Sequence, residues 1–256
     1  MTNQVIEGDC EQALKTFQDE CIDLVVTSPP YDNLRTYKGY TFNFEPIARE
    51  LYRVMKKGGV VVWVVGDATI KGSETGTSFK QALYFKEVGF NLHDTMIYAK
   101  TNPMPLNSNR YENAFEYMFV FSKGKPNNFN ALKEKSKTAG ITNHGTYYKP
   151  DGTTVKKTGS GKLVKDEKVI SNIWFYPIGA NSKMFKHPAT FPEKLAQDHI
   201  LSWSNEGDTI LDPMAGSGTT LKMAKILNRN YIGIEISKEY VEIINQRLAS
   251  VQEKLL

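Results

Sequence analysis

Apolar residues fall into two kinds of stretch along the chain: short continuous runs and longer stretches with helical spacing. The continuous run 60–65, and Ile22–Thr27, which is apolar except for Asp23 and Thr27, predict buried strands of a sheet. Between them, apolar positions three and four residues apart predict a helix that begins near Asn43 and stops at residues 56–59, which have the sequence Lys-Lys-Gly-Gly. A further helix is predicted over residues 77–88.

The same two patterns continue towards the carboxyl end, with one interruption. Strands are predicted at residues 92–99 and 111–121, after which apolar positions become sparse over residues 122–172 and then resume. Alternating strands and helices predict an α/β fold, with a mostly parallel, twisted sheet and helices on both of its faces. We therefore expect one domain formed by residues 1–121 and 173–256, with residues 122–172 inserted in it.

Length and composition fit one such domain. The 256 residues suffice for one large core with a modest insertion, and 40% hydrophobic with 23% charged residues is ordinary for a globular protein. No apolar run reaches the roughly 18 residues of a membrane span, and the chain opens on a strand-like segment instead of a signal peptide. We therefore expect an intracellular, cytoplasmic protein that has no membrane partner.

Charge is distributed unevenly between the domain and the insertion. The formal net charge is +4, but residues 123–172 contain eleven lysines against four acidic residues, a net charge of +7 that leaves −3 for the rest of the chain. A basic segment on a slightly acidic body favours a polyanion as partner. Lysine-rich loops that only face solvent have the same composition, so charge alone does not decide between these two interpretations.

A glycine-containing turn lies near the carboxyl end. Residues 212–220 have the sequence Asp-Pro-Met-Ala-Gly-Ser-Gly-Thr-Thr and connect a short apolar run to a helical pattern. Glu235 stands at the end of the next predicted strand, 23 positions after Asp212. Glycines let the backbone approach a ligand closely, and an acidic residue so placed can accept both hydroxyls of a ribose. The spacing is typical of a nucleotide pocket, although many strand-turn-helix units without a ligand share it.

A second motif, Ser28-Pro29-Pro30-Tyr31, comes directly after the first buried strand. Two consecutive prolines cannot continue a sheet, so the chain leaves the strand in a stiff, extended turn. This turn presents Ser28 and Tyr31 at the carboxyl end of the strand, which is the edge where open α/β sheets bind ligands.

Together the two motifs resemble the paired signatures of amino-group DNA methyltransferases that depend on S-adenosylmethionine. Similar segments are Asp9 in Gly-Asp-Cys, residues 50–54 with the following Gly58-Gly59, and His-Pro-Ala-Thr-Phe-Pro at residues 187–192. The catalytic-type motif precedes the cofactor-type motif, an order similar to the permuted beta group, whose target-recognition region lies between the two. The resemblance thus implies a circularly permuted, Rossmann-like methyltransferase fold with residues 122–172 as the target-recognition region.

The resemblance implies a catalytic motif made of Ser28, Pro29, Pro30 and Tyr31. The amino nitrogen of a base is a weak nucleophile, because its lone pair is delocalised into the ring. Ser28 and the carbonyl of Pro29, held rigid by Pro30, would accept hydrogen bonds from this amine and reorient it. Tyr31 would stack on a base rotated out of the duplex. Serine at the first position favours N4 of cytosine, with N6 of adenine as the alternative.

On the cofactor side, the resemblance implies that Glu235 binds the ribose hydroxyls and that Asp212 lies near the methionine amino group. Gly216 and Gly218 would leave room for the methionine and the ribose. Asp9 is the candidate for the adenine amine, although a Gly-Asp pair after a strand is also ordinary turn chemistry. The predicted cofactor-binding residues are Asp9, Phe191, Asp212, Ala215, Gly216, Ser217, Gly218, Thr219 and Glu235.

Methyl transfer to an amine requires neither a metal nor a covalent intermediate. The four histidines are scattered over different predicted elements, so no metal site is predicted. Methylation at carbon 5 of cytosine would need a cysteine nucleophile, which in its family follows a proline. Neither Cys10 nor Cys21 follows a proline, so we exclude that chemistry.

The implied partner is double-stranded DNA with a flipped target base. The resemblance also allows a homodimer and a cognate restriction endonuclease, which the sequence does not decide. Two other functions stay open at this point: methyl transfer to RNA or to a protein amide nitrogen, since similar pockets serve those substrates, and DNA binding without catalysis. Both motifs are complete, which argues against the last of these.

Overall fold

The computed structural model describes residues 2–30, 42–103, 105, 109–178 and 192–251. The chain forms two compact units. The first comprises Met1–Asn130 and Asn172–Leu256, and the second comprises Ala131–Ser171. Among the described residues, no helix is long and apolar enough to cross a membrane.

Strands and helices alternate over most of the first unit. The strands of both units are β1 (Gln4–Glu7), β2 (Ile22–Thr27), β3 (Met55–Val65), β4 (Thr69–Ile70), β5 (Ser73–Glu74), β6 (Asn91–Lys100), β7 (Phe115–Ser122), β8 (Lys133–Lys135), β9 (Thr146–Tyr148), β10 (Thr154–Lys156), β11 (Glu167–Val169), β12 (Ile173–Tyr176), β13 (Thr209–Asp212) and β14 (Asn230–Glu235). The helices are α1 (Cys10–Lys15), α2 (Phe44–Val54), α3 (Thr77–Val88), α4 (Glu193–Trp203), α5 (Thr219–Ile226) and α6 (Lys238–Ala249).

Eight strands of the first unit form one sheet in the order β1-β14-β13-β2-β3-β7-β6-β12. Five of the seven neighbouring pairs are parallel, and β7 alone runs against the other seven strands. The predicted α/β fold with a mostly parallel sheet is therefore confirmed. In such a sheet the carboxyl ends of the parallel strands share one edge, which is where a ligand site is expected.

Helices cover both faces of this sheet, as predicted. Ile232 of β14 packs in a core cluster with residues of α1, α2 and α3, among them Leu51. The preceding residue, Tyr231, packs in a second cluster with Leu221 of α5 and Ile244 of α6. Because successive residues of a strand point to opposite faces, the two clusters lie on opposite sides of the sheet.

The structure corrects the predicted junction between α2 and β3. The sequence places a stop at residues 56–59 and begins the strand after them, whereas β3 begins at Met55, directly after α2. Ile22 pairs with Met55 while Leu24 pairs with Val60, so residues 56–59 form an irregular stretch inside the strand. A bulge of this kind bends the strand without ending it, which the local Lys-Lys-Gly-Gly sequence does not reveal.

The predicted start of β7 was also wrong. The apolar pattern places it at residue 111, but the strand begins at Phe115, and Tyr111 is 99% exposed. The ladder between β6 and β7 ends with Phe115 opposite Ala99. The start of β7 is therefore set by the end of its partner strand β6, and the residue types at positions 111–114 do not indicate where β6 ends.

The second unit contains two short antiparallel pairs, β8 with β11 and β9 with β10. Two ion pairs cross the first of them: Lys133 with Glu167 at 3.6 Å, and Lys168 with Glu134 at 3.0 Å. All four side chains are exposed, so these ion pairs add little to stability. This unit lies within the predicted insertion, residues 122–172.

Candidate active site

The two sequence motifs meet at one edge of the sheet. Strands β1, β14, β13, β2 and β3 are neighbours and parallel to one another, so their carboxyl ends lie side by side. The polar residues at these ends are Asp9 after β1, Glu235 in β14, Asp212 in β13, Ser28 after β2 and Asp67 after β3. The fold thus brings residues from the two ends of the sequence onto adjacent strands.

Glu235 fixes the glycine turn to the end of β14. Its Oε2 accepts a hydrogen bond from Gly216 N at 2.8 Å, and its Oε1 accepts one from Ser237 N at 2.8 Å. Beside it, Ala215 N donates to the carbonyl of Ile234 at 2.9 Å. Burial raises the pKa of Glu235 above its ordinary value, against the opposing effect of the backbone hydrogen bonds. The turn therefore carries a largely buried acidic group.

Asp212 is a second acidic group at this edge, and it is only 2% exposed. Its Oδ1 accepts hydrogen bonds from the Thr27 hydroxyl at 2.7 Å and from Met214 N at 3.2 Å. Burial raises the pKa of Asp212 to about 6; the hydrogen bonds oppose this shift, and the nearby charge of Glu235 adds to it. Burial of a carboxyl group disfavours its charged form, and carboxyl groups with pKa values shifted in this way are typical of functional sites.

Two glycines shape the turn between β13 and α5. Gly216 has a φ of 53° and Gly218 a φ of 79°, a region that residues with a side chain rarely adopt. A Cβ on Gly218 would also lie 2.9 Å from the side chain of Ile244. The adjacent Ser217 and Thr219 are buried. The turn is therefore a fixed part of the core, in contrast to a loop that closes on a ligand.

Arg247 of α6 supports the same turn. Its guanidinium donates to the carbonyl of Ser217, to Ser217 Oγ at 3.0 Å and to Glu193 Oε1 at 2.8 Å. Lys222 Nζ donates to the same oxygen of Glu193 at 2.8 Å. Residues of three helices thus hold one turn. Sequence reasoning missed Arg247 and Glu193, because their contact spans 54 positions and leaves no local pattern.

The catalytic-type motif follows β2 directly. Ser28 and Pro30 are partly buried and Pro29 is buried, whereas Tyr31 lies outside the described residues. Thr27, the last residue of β2, contacts Asp212 and so joins this motif to the cofactor-type motif. Sequence reasoning missed the role of Thr27 as well, although its position directly before Ser28 was a signal.

Asp9 has a structural role in this edge. It caps α1, since its Oδ1 accepts a hydrogen bond from Gln12 N at 3.0 Å. Asp9 therefore has the ordinary turn role that a Gly-Asp pair after a strand can have, and its contact with the adenine amine of the cofactor stays a prediction. Gly8 N donates to the carbonyl of Glu235 at 3.0 Å, which places Asp9 next to the glycine turn. The predicted cofactor residue Phe191 lies outside the described residues.

Candidate metal ligands and the two cysteines lie as follows. Within the described ranges, no three or more His, Cys, Asp or Glu residues are grouped so that they could hold a metal ion. Cys21 precedes β2 and thus lies at the opposite end of that strand from Ser28. Cys10 is buried among hydrophobic core residues.

Solved structures define the class of protein that this fold represents. PvuII DNA methyltransferase (cytosine-N4-specific) matches with a TM-score of 0.70 and 21% identity, covering 100% of this chain and 89% of its own. M1.HpyAVI in complex with S-adenosylmethionine matches with a TM-score of 0.64 and 25% identity, covering 96% and 98%. The fold is that of a methyltransferase, as the sequence predicts.

Sequence relatives then identify the family. The family model described as DNA methylase, which covers N6 and N4 methyltransferases, matches residues 22–246. Orphan methyltransferase M.BamHII from Bacillus amyloliquefaciens is 60% identical over 238 residues, covering 90% of this chain and 89% of the relative. The chain belongs to the N6/N4 DNA methylase family. It is an S-adenosylmethionine-dependent DNA methyltransferase that acts on an amino group.

The residues at the sheet edge fit this cofactor. S-adenosylmethionine carries an ammonium group, a sulfonium charge and two ribose hydroxyls, so its site needs anions and hydrogen-bond acceptors. Asp212 and Glu235 are carboxyl groups whose pKa values are raised by burial, and a bound cation would compensate that loss of solvation. The expected cofactor is confirmed by the family and by the solved relative in complex with S-adenosylmethionine, while the roles of individual residues stay predictions.

Proposed function

We propose that this enzyme methylates the N4 amine of cytosine at a specific sequence in double-stranded DNA. The observation that carries the proposal is the position of Ser28, which follows β2 directly beside the strand that ends in Asp212. In this family, serine at the first position of the catalytic motif favours cytosine N4. The complete catalytic and cofactor motifs support catalysis over DNA binding alone.

The target half of the site reorients a weak nucleophile. The Ser28 hydroxyl and the Pro29 carbonyl would accept hydrogen bonds from the two N–H groups of the flipped cytosine amine, which would aim the nitrogen lone pair at the methyl group. As the nitrogen gains the methyl group, it would release one of these two protons to solvent. Pro30 restricts the backbone at this point, so little entropy is lost when the base binds. By the family resemblance, Tyr31 would stack on the base and offset part of the unstacking energy.

The cofactor half of the site supplies fixed charges and acceptors. When bound, S-adenosylmethionine supplies a methyl group on a positively charged sulfur, which leaves as a neutral thioether. Asp212 would bind the ammonium group, and Glu235 would accept hydrogen bonds from the ribose hydroxyls. Oε2 of Glu235 accepts a backbone hydrogen bond from Gly216 N and Oε1 accepts one from Ser237 N, and a carboxylate has about four acceptor sites in all. These backbone bonds set the direction of the carboxylate before the cofactor arrives.

Product analysis tests the proposed target. DNA amplified in vitro, which carries no methylated bases, is incubated with the enzyme and a cofactor labelled in its methyl group. Mass spectrometry of the nucleoside digest is expected to show labelled N4-methylcytosine. Labelled N6-methyladenine as the sole product would reject cytosine in favour of the alternative. If structured RNA in place of duplex DNA carries the label, the substrate class is wrong.

We also propose that residues 122–172 form the target-recognition region and contact DNA phosphates. Lys156 and Lys157 lie at the end of β10 and directly after it, and both are exposed. Replacing both with glutamine is expected to weaken DNA binding and to reduce the slope of log K against log salt. Each lost phosphate contact removes about 0.9 from that slope on duplex DNA.

A matched double variant controls for the change in net charge. Lys133→Gln with Lys168→Gln removes the same charge from lysines that are held in ion pairs with Glu167 and Glu134. We expect this pair to reduce the slope less than the change at Lys156 and Lys157. The slope is obtained from binding measurements at several salt concentrations, and equal slopes for wild type and both variants would reject this region as the DNA-binding surface.

A further inference from the structure

A buried hydrogen bond between two side chains joins the two halves of the site. Thr27 is fully buried at the end of β2, and its hydroxyl donates to Asp212 Oδ1 at 2.7 Å. The two residues are 185 positions apart in the sequence. Ser28, the proposed partner of the target amine, is the next residue along the chain. The last residue of one strand thus touches the proposed cofactor residue, and its neighbour begins the target motif.

A second hydroxyl strengthens this connection. Thr220, in the first turn of α5, is fully buried and donates to the carbonyl of Val26 at 3.0 Å. The pairing of Ile210 with Leu24 and of Leu211 with Val25 brings β13 and β2 together just before these contacts. The side-chain hydrogen bonds of Thr27 and Thr220 therefore hold β2 to β13 and to α5 just beyond the last backbone pairing of β2 with β13.

We propose that Thr27 is a positioning residue, which holds the carboxylate of Asp212 in the orientation that receives the cofactor and so couples the cofactor half of the site to the target half. This inference rests on the proposed function, in which Asp212 binds the ammonium group of S-adenosylmethionine. Thr27 itself touches neither the methyl group nor the target base, and it acts through Asp212.

The electrostatics of Asp212 explain why the carboxylate needs such a donor. Burial raises the pKa of Asp212 to about 6, and the hydrogen bond from Thr27 is the largest of the effects that oppose this rise. Around Asp212, β2 contributes the hydroxyl of Thr27, α5 contributes the hydroxyl of Thr220, and β14 contributes the charge of Glu235, which raises the pKa further. Loss of the Thr27 hydroxyl therefore leaves more Asp212 protonated near neutral pH.

The test is cofactor binding by Thr27→Val as a function of pH. Valine keeps the β-branched shape and removes the donor. Losing this hydrogen bond to the charged form raises the pKa of Asp212 further, which corresponds to about a tenfold gain in proton affinity. If the ionised form binds the cofactor, calorimetry with S-adenosylmethionine and without DNA should show affinity about 5-fold weaker than wild type at pH 6 and nearly equal at pH 8. At each pH the dissociation constant of the variant is divided by that of wild type. This ratio cancels the effect of protonation of the cofactor itself, which is the same for both proteins.

Two variants separate positioning from a general structural effect. Thr27→Ser restores the donor and is expected to restore the wild-type pH dependence. Thr209→Val makes the same chemical change at a buried threonine at the start of β13 and is expected to leave the ratio near one at every pH. A ratio for Thr27→Val that does not change between pH 5.5 and pH 8 would overturn the inference.

Asp212→Asn distinguishes failure of this inference from failure of the proposed function. If Asp212→Asn binds the cofactor as tightly as wild type, Asp212 has no role in the site, and both the proposed role and this inference are wrong. If Asp212→Asn loses affinity while Thr27→Val keeps the wild-type profile, Asp212 binds the cofactor without help from Thr27, and only this inference is wrong.

Discussion

Replacing Asp212 with asparagine is expected to weaken S-adenosylmethionine binding by about 10- to 100-fold, the range for a hydrogen bond that involves charged groups. Asparagine retains an oxygen that accepts from the Thr27 hydroxyl and from Met214 N. The substitution therefore removes the charge and keeps the shape of the side chain. Calorimetric titration with the cofactor in the absence of DNA measures the loss directly.

The same substitution is expected to raise the melting temperature of the protein without cofactor. The pKa of Asp212 is about 6 in the folded chain and ordinary in the unfolded chain, so the folded protein binds an extra proton between these two values. The stabilising contribution of this group is complete at low pH and is lost as pH rises through 6. At pH 7 the buried charge thus destabilises the fold, and asparagine removes this penalty. Each kcal/mol gained raises the melting temperature by about 2–4 °C for a chain of this size.

Asp208→Asn is a suitable control for the measurement of cofactor affinity. Asp208 immediately precedes β13, at the end opposite Asp212, and its carboxylate accepts a hydrogen bond from Asn205 N at 2.8 Å. This variant removes the same charge without touching the carboxyl edge of the sheet, so cofactor affinity should not change. A melting temperature that falls in Asp212→Asn would show that the carboxylate stabilises the fold, which contradicts the electrostatic argument.

The strands that position the site could be predicted from the sequence because they are buried on both faces. Val25, Val61 and Leu211 have no exposed surface, and their runs of apolar residues are continuous for that reason. The positions of Asp212 and Glu235 at strand ends followed from these runs. Where an element's end depends on a partner strand, as at Met55 and Phe115, the local pattern did not suffice.

The side chains that support the site could not be predicted, because their partners are distant in sequence. Arg247 contacts Ser217 across 30 positions, and Thr27 contacts Asp212 across 185. Buried arginine and threonine have no periodic pattern of their own, and only the folded chain shows what they bind. Asp9 illustrates a different limit, since one residue type serves both as a helix cap and as a ligand contact, and the sequence pattern is the same for both.

The Ser28→Ala enzyme is expected to transfer methyl groups about 10²–10³-fold more slowly than wild type, while its affinity for S-adenosylmethionine stays the same. Ser28 is proposed to contact the target amine and not the cofactor, so its loss affects the orientation of the nucleophile. Misplacement of a reacting group by about 1 Å is enough for a loss of this size. Single-turnover rates with excess enzyme measure the chemical step separately from product release.

Ser73→Ala is the control for this loss of a hydroxyl, because Ser73 lies on the exposed strand β5 and its hydroxyl donates to the carbonyl of Glu74. Adding Tyr31→Ala to Ser28→Ala removes the stacking partner as well, and should raise the KM for DNA together with the loss of rate. Wild-type rates in this double variant would show that the pocket after β2 is not where the base is methylated. A residue that acts on the amine alone leaves cofactor binding unchanged. If Ser28→Ala loses cofactor affinity by the same factor as it loses rate, Ser28 contacts the cofactor and not the target amine.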